Sequence, residues 1–334
     1  MSTRCLAKRS LIGFALLAVV LTPAVLGSHR VAEEMRHALG QLGSADRGWV
    51  SVAVLCFAGS LAFAVACWWI VTRSCGAHGR RLDAFFRFGV GAIVQILTPA
   101  RLGDAVRVAL FARTVDAESP VLRVGGAYAM LEAARALSLA VLLTLAWLLG
   151  GMSFWPVAIV AAIAAVVVSV ARVTARRARD GRFARLFEAA RELRSDRGAA
   201  VTLVGAACAS TLMRVLGASA LAAAVGIDSP LAAGLIVCSA VDLAGLLPVT
   251  PGNVGIAGGA IAVALSARGV ALTPALALGM LFQGCESAVS LGVGVVSLCG
   301  LGGMPAARRR RIVLVGGAAA ATGAAATLGL ALFV

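Results

Sequence analysis

The sequence contains few charged residues. Only 13% of its 334 residues are charged and 60% are hydrophobic, whereas soluble globular domains carry about 25% charged residues. No long polar block remains that could form a separate catalytic domain of ordinary size. These shortages exclude a soluble enzyme. In their place, several apolar runs reach the roughly 20 residues needed to cross a bilayer.

Aromatic residues are also scarce, at five Trp, one Tyr and twelve Phe. The net charge of +15 would suit a nucleic-acid-binding protein. However, the basic residues lie mostly in short loops beside apolar runs, where membrane insertion and anionic headgroups explain them. We therefore expect no nucleic-acid partner.

Metal and nucleotide motifs are missing too. The eight cysteines form no CxxC pair, and the three histidines, at positions 29, 37 and 78, fall in loops without ligand spacing. The chain has no GxxxxGK[ST] motif. We expect no metal, no cofactor and no ATP hydrolysis.

Seven apolar runs predict full transmembrane helices: 11–27, 49–72, 124–150, 154–171, 199–225, 272–300 and 312–334. The first run follows Arg4, Lys8 and Arg9, as in a signal peptide. Its 17 residues are long for a signal-peptide core and other spans follow, so an uncleaved anchor is favoured.

Two further apolar regions, 84–115 and 231–267, are each interrupted by a Thr-Pro pair and glycines. Proline removes a backbone donor and disfavours helix in the residue before it, and glycine permits a turn. The pieces on either side are too short to cross the bilayer easily. The predicted breaks lie at Pro99, Gly103, Pro251, Gly252 and Gly255.

Loop charges predict the orientation. With a cytoplasmic N-terminus, the inner loops 1–10, 73–83, 172–197 and 301–311 hold 3, 3, 9 and 4 Lys/Arg, whereas the outer segments hold four in all. Counting crossings then makes 84–115 leave from and return to the inner face. The same count makes 231–267 a hairpin that enters from the outer face.

The two broken regions belong to an apparent repeat. Residues 97–103 (LTPARLG) resemble 249–255 (VTPGNVG) at an offset of 152, and Glu132 precedes Glu286 by 154. Three full crossings per copy would invert the second copy, which is the architecture of many secondary transporters.

The predicted fold is all-α, with about seven transmembrane helices and two re-entrant hairpins in an inverted repeat. Its parts are an anchor and outer loop (1–48), repeat 1 (49–172), a basic cytoplasmic linker or amphipathic helix (173–198), and repeat 2 (199–334).

Polar residues inside these apolar regions form the candidate substrate site, because charges at membrane depth cost several kcal/mol. Asp104 and Arg107 share a helix face with Arg101, and a second face carries Tyr128, Glu132 and Arg135. The second half contributes Arg214, Asp242, Asn253, Gln283 and Glu286. The alternative is that such charges pair, for example Arg214 with Glu286 or Asp242, and only fix helix packing.

Residues 99–107 (PARLGDAVR) match a P-x-R-x-G-[ED]-x-x-R pattern, and residues 251–255 (PGNVG) are similar to a later P-G-G-x-G segment. In these residues the chain resembles the flippase-like membrane family related to the transmembrane region of lysylphosphatidylglycerol synthase, without the synthase domain. The resemblance implies movement of lipids between leaflets: aminoacyl-phospholipids, polyprenyl-linked sugars or hopanoid-associated lipids. The chain ends in an apolar run, so we expect no lipid aminoacylation by it alone.

The expected function is therefore a lipid translocase of the bacterial inner membrane. Arg101 and Arg107 would hold a phosphate, and Glu132 and Glu286 would carry protons. Three alternatives remain open: a non-catalytic subunit that supports lipid-biosynthesis enzymes, an intramembrane headgroup enzyme, and a small-solute or ion transporter. The expected partners are membrane lipids with anionic headgroups, and the oligomeric state is undetermined.

Overall fold

The computed structural model describes residues 29–97, 102–148, 196–245 and 255–301, together with residues 158 and 162. In those ranges the regular structure is helical, apart from an isolated β-bridge between Ala77 and Val115. The helices are α1 (His29–Ser44), α2 (Arg47–Ser74), α3 (Arg81–Leu97), α4 (Leu102–Ala112), α5 (Pro120–Leu148), α6 (Arg197–Ala224), α7 (Pro230–Ala244), α8 (Ile256–Ser266) and α9 (Leu272–Leu301).

Four of these helices, α2, α5, α6 and α9, are long and apolar enough to cross a membrane. At 1.5 Å per residue, the 28 residues of α2 extend about 42 Å, which exceeds the roughly 30 Å hydrocarbon core. Leu55, Val201 and Val263 are 72%, 73% and 72% exposed. Such exposed apolar side chains are suited to lipid rather than water. The chain is a multi-pass membrane protein.

These four helices confirm the spans predicted at 49–72, 124–150, 199–225 and 272–300 as long apolar helices. The predicted spans 11–27 and 312–334 lie outside the described residues, and so does 154–171 except for residues 158 and 162. The basic linker lies outside them as well, up to residue 195. A total of seven spans is therefore a prediction.

Helix α1 differs from the outer loop predicted for this part of the chain. Ala38, Leu42 and Ala45 are buried. The spacing of these three residues puts their side chains on one side of the segment. This side packs into the apolar core that also contains residues of α9. The sequence around them is polar and contains no long apolar run, which is why the helix was not predicted.

Helices α3 and α4 form an antiparallel pair. Arg87 Nη1 donates to Leu110 O at 2.8 Å, toward the ends of the two helices that lie away from residues 98–101, which join them. The chain segments beyond these ends also meet, because His78 N donates to Thr114 O at 3.0 Å. Residues 84–115 therefore return to the place where they began, as the hairpin prediction required. Helices α7 and α8 pack against each other in the corresponding part of the second half.

Only some of the predicted breaks can be placed. Pro99 lies between α3 and α4, and Pro251 and Gly252 lie before α8, outside the described residues. Gly255 has φ 85° directly before α8, a conformation that favours glycine. Gly103 is the second residue of α4, at the start of the helix. A Cβ there would lie 2.7 Å from Gln95 Oε1, so Gly103 allows α3 and α4 to approach closely.

Helices α2 and α6 lie antiparallel at the centre of the structure. Asp46 N, before α2, donates to Ala224 O at the end of α6. Near the other end, Cys67 Sγ lies 4.0 Å from Leu203 O. Both helices contribute to each of the two apolar cores. The first core also contains residues of α7, α8 and α9. The second core also contains residues of α3, α4 and the first part of α5.

The helices on either side of residue 196 follow the same order of lengths. Helices α2 to α5 have 28, 17, 11 and 29 residues, and α6 to α9 have 28, 15, 11 and 30. Even the ends agree, since Asp46 and Asp196 cap α2 and α6 with their side chains. Both helices then end in a Schellman motif at a positive-φ glycine, Gly76 and Gly226.

Candidate functional site

The first charged cluster joins the hairpin to α5. Arg107 Nη1 lies 2.6 Å from Asp104 Oδ1, and Tyr128 OH donates to Asp104 Oδ2 at 2.8 Å. Both carboxylate oxygens of Asp104 are therefore engaged. Because Arg107 is only 9% exposed, this ion pair is shielded from solvent. We name Asp104, Arg107 and Tyr128 the hairpin cluster.

The surroundings of Arg107 hold its guanidinium group in place. Its Nε donates to Phe88 O at 3.3 Å, and its Cζ lies 4.3 Å from the centre of the Phe88 ring. A cation over an aromatic face is attracted by the ring quadrupole. A Cβ at Gly91 would lie 2.8 Å from Arg107 Nε, so the glycine leaves room for the side chain.

Tyr128 is oriented by aromatic packing. The Trp68 ring stacks on Phe111 at 4.9 Å between centroids and on Tyr128 at 5.5 Å. Trp68 and Phe111 are fully buried, so they form a rigid support for the tyrosine. This stacking connects α2, α4 and α5 at the hairpin cluster.

Glu132 and Arg135 form a separate pair within α5. Arg135 Nη1 lies 3.0 Å from Glu132 Oε1, and about a third of each side chain is exposed. The pair lies within the candidate membrane span of α5.

The second charged cluster joins α6, α7 and α9. Arg214 Nη1 lies 2.5 Å from Asp242 Oδ1, and Arg214 Nε lies 2.9 Å from Glu286 Oε1. The sequence suggested either acid as a partner of Arg214, and the structure pairs it with both. The Arg214 guanidinium also lies 5.6 Å from the centre of the Phe282 ring. We name Arg214, Asp242 and Glu286 the triad.

The two clusters differ in charge balance. The hairpin cluster has one carboxylate for one guanidinium, whereas the triad has two carboxylates for one guanidinium. With both acids ionised the triad carries one excess negative charge. The second carboxylate lets the triad bind a further cation while Arg214 keeps one carboxylate partner.

Three candidate residues remain: Gln283, Arg101 and Asn253. Gln283 lies one helical turn before Glu286 and is partly buried. Arg101 and Asn253 fall outside the described residues. Glu132 and Glu286 match in sequence position, but Glu132 pairs within its own helix and Glu286 pairs across to another.

Sequence reasoning missed the side chains that support the charges. Phe88, Phe282, Trp68 and Gly91 lie in apolar runs where nothing distinguishes them from ordinary membrane-facing residues. An aromatic residue near an arginine in sequence would have been a weak signal. The pairs here lie 19 and 68 residues apart, so no local pattern contained them.

Metal-binding chemistry finds no support in the described residues. They contain no group of three His, Cys, Asp or Glu side chains that could hold a metal ion. None of the seven cysteines among them is in a disulfide bond.

Comparison with known proteins identifies one family. The family model described as "Lysylphosphatidylglycerol synthase TM region" matches residues 10–294. This range contains every helix described above except the last turns of α9, and it includes both charged clusters. A search of curated proteins gives no match.

Proposed function

The chain belongs to the lysylphosphatidylglycerol synthase TM region family, and from that membership we propose that it is a lipid translocase. It moves an anionic, aminoacylated or isoprenoid- or hopanoid-type lipid between the leaflets of the bacterial inner membrane. The observation that carries the proposal is the pair of charged clusters on broken-hairpin helices of a membrane protein. Charges at membrane depth are costly and usually mark a substrate or ion pathway.

The proposed architecture is an inverted repeat of seven transmembrane helices and two re-entrant hairpins, with a cytoplasmic N-terminus. The matched helix lengths and the antiparallel contact between α2 and α6 support it. In such an arrangement the hairpins enter from opposite faces and meet near the midplane. Non-helical backbone at that depth requires a protein or water-lined cavity, which would shield a headgroup.

Arg107 is the proposed phosphate ligand. It already pairs with Asp104, so an arriving phosphate would have to compete with that carboxylate. Guanidinium suits this exchange because it offers five N–H donors in a planar fork. Arg101 would add a second guanidinium from the hairpin tip. Release of the phosphate restores the Asp104 pair, so the charge of Arg107 is never left alone.

The triad is the proposed coupling site. One of its two carboxylates binds a transported cation, such as the amine of an aminoacylated headgroup, while the other keeps its ion pair with Arg214. We propose transport rather than headgroup chemistry for this site.

The test is reconstitution of the full chain in proteoliposomes with fluorescent lipids of three classes: phosphatidylglycerol, an aminoacylated phospholipid and an isoprenoid phosphate. Dithionite added outside bleaches probes in the outer leaflet, so transport appears as additional bleaching over time. We expect faster exchange of at least one class than in protein-free vesicles. If none of the three classes exchanges faster, the translocase proposal is wrong.

A further inference from the structure

An apolar groove lies between α2 and α6 on the outside of the structure. Its volume is about 630 Å³, and its walls include Phe63, Ala66 and Trp69 from α2 and Thr202 and Gly205 from α6. Ala62 and Trp69 are seven residues apart, so the groove extends about 10 Å along α2. Its length therefore matches a segment of a lipid acyl chain.

One end of the groove is cationic. The Arg81 guanidinium lies 4.7 Å from the centre of the Trp69 ring, and the Arg73 guanidinium lies 5.5 Å from it. Arg73 and Arg81 are both exposed. Among the described residues, no carboxylate lies within ion-pair distance of either one. Two guanidinium groups thus converge on one aromatic ring without an acidic partner in that part of the chain.

Cationic character continues beyond Trp69. The same ring borders a small cleft at the turn between α2 and α3, which Arg73, Arg80 and Arg87 also line. One acid, Asp83, lines the cleft as well and accepts from Arg80 N at 3.1 Å. This turn follows directly after the apolar run of α2. The junction of an apolar span with Trp and Arg is where hydrocarbon gives way to headgroups in a bilayer.

We propose that this groove binds one anionic phospholipid, with an acyl chain between α2 and α6 and its phosphate on Arg73 and Arg81. Charge complementarity selects the headgroup, because four arginines, at positions 73, 80, 81 and 87, outnumber the one acid among the described residues that line this end, Asp83. The apolar walls select a chain rather than a free phosphate. The site contains none of the residues of the hairpin cluster or the triad. It goes beyond the proposed function, because holding a lipid here requires no transport.

Brominated lipids test the site directly, since bromine quenches tryptophan fluorescence only on contact. The full chain is placed in phosphatidylcholine nanodiscs doped with brominated phosphatidylglycerol or brominated phosphatidylcholine. The Trp69 signal is the difference between the wild type and Trp69→Phe. We expect half-maximal quenching of this signal at a mole fraction about fivefold lower for phosphatidylglycerol, which is the effect of one basic residue near an anionic surface.

Two variants separate the parts of the site. R73Q/R81Q should abolish the preference for phosphatidylglycerol, whereas R47Q, on an exposed residue at the opposite end of α2, should preserve it. G205L should reduce quenching by both lipids, because a Cβ at Gly205 meets nothing within 4 Å and the larger side chain would fill the groove. Native mass spectrometry gives a second readout, as retained phosphatidylglycerol should disappear in R73Q/R81Q.

Equal quenching of wild type by the two lipids would overturn the proposal. So would a phosphatidylglycerol preference that survives in R73Q/R81Q. Neither measurement depends on lipid flux, so failure here leaves the translocase proposal standing, and failure of transport leaves this site standing.

Discussion

Ser60 and Ser210 exchange hydrogen bonds at the middle of the α2–α6 contact. Each hydroxyl donates to the backbone carbonyl of the other residue at 2.9 Å, and the two residues are 150 positions apart. The same offset separates the caps Asp46 and Asp196. When residue i bonds to residue j in the same way as j bonds to i, the contact is typical of a two-fold relation, as in symmetric dimers. Here the relation would hold within one chain.

We predict that Ser60→Ala and Ser210→Ala have similar effects on stability. Each removes one hydrogen bond between buried helices, which in membrane proteins contributes about 0.6 kcal/mol. SDS titration in mixed micelles gives the free energy of unfolding. Ser60→Leu should cost more, about 1–3 kcal/mol, because it overpacks a close helix contact. A large loss in one alanine variant and none in the other would contradict the two-fold relation.

Removing Arg214 should destabilise the protein more than removing Arg135. Arg214→Ala leaves two carboxylates, Asp242 and Glu286, without their shared cation. Arg135→Ala is the matched control, because its pair is similarly exposed and only one carboxylate, Glu132, loses its cation. The same SDS titration measures both.

The combined variant R214A/D242N/E286Q distinguishes charge from packing. With the excess carboxylates neutralised, most of the lost stability should return. If this variant is as unstable as Arg214→Ala, the triad stabilises the protein through side-chain packing and not through its charge balance.

Gly91→Ala should impair the hairpin cluster without changing any charge. The added Cβ would lie 2.8 Å from Arg107 Nε and displace the guanidinium from Phe88. We expect a destabilisation of about 1–3 kcal/mol, together with a transport loss similar to that of an Arg107 substitution. Gly205→Ala is the control, because its Cβ would meet nothing within 4 Å. Normal transport in Gly91→Ala would show that the position of Arg107 is unimportant.

Cysteine labelling tests the direction of the hairpins. His78 and Asp116, at the two ends of the first hairpin, are highly exposed, and His78 Nε2 lies 4.0 Å from Asp116 Oδ2. In a cysteine-free background, His78→Cys and Asp116→Cys should react with an impermeant thiol reagent from the cytoplasmic face only.

The second hairpin should behave in the opposite way. Asp228→Cys and Ala267→Cys, at exposed positions next to α7 and α8, should react from the outer face only. Labelling of both hairpins from one face would rule out the inverted arrangement.

The sequence predicted the long helices well and the site only in part. Apolar runs of 20 or more residues locate α2, α5, α6 and α9, because the bilayer fixes their length and character. The pairing of Arg214 was also foreseeable, since a charge inside an apolar helix needs an opposite charge. The sequence did not show which acid would pair with Arg214, and in the structure it pairs with both Asp242 and Glu286.

Other features depend on contacts between distant residues. Helix α1 is held by three small or apolar side chains against the core, a signal too short to stand out in a polar segment. Gly103 also allows α3 and α4 to approach closely. A sequence does not show which glycines have this packing role, because it depends on a distant partner residue.

The most direct test of the account is the transport rate of Arg107→Gln in proteoliposomes. Arg113→Gln is the control, because Arg113 is an exposed arginine just beyond the same helix. Using the lipid class that wild type exchanges fastest, we expect Arg107→Gln to slow exchange at least tenfold, equivalent to about 1.4 kcal/mol in the barrier. Arg113→Gln should remain close to wild type. Equal rates for wild type, Arg107→Gln and Arg113→Gln would contradict the proposal that a lipid phosphate passes through the hairpin cluster.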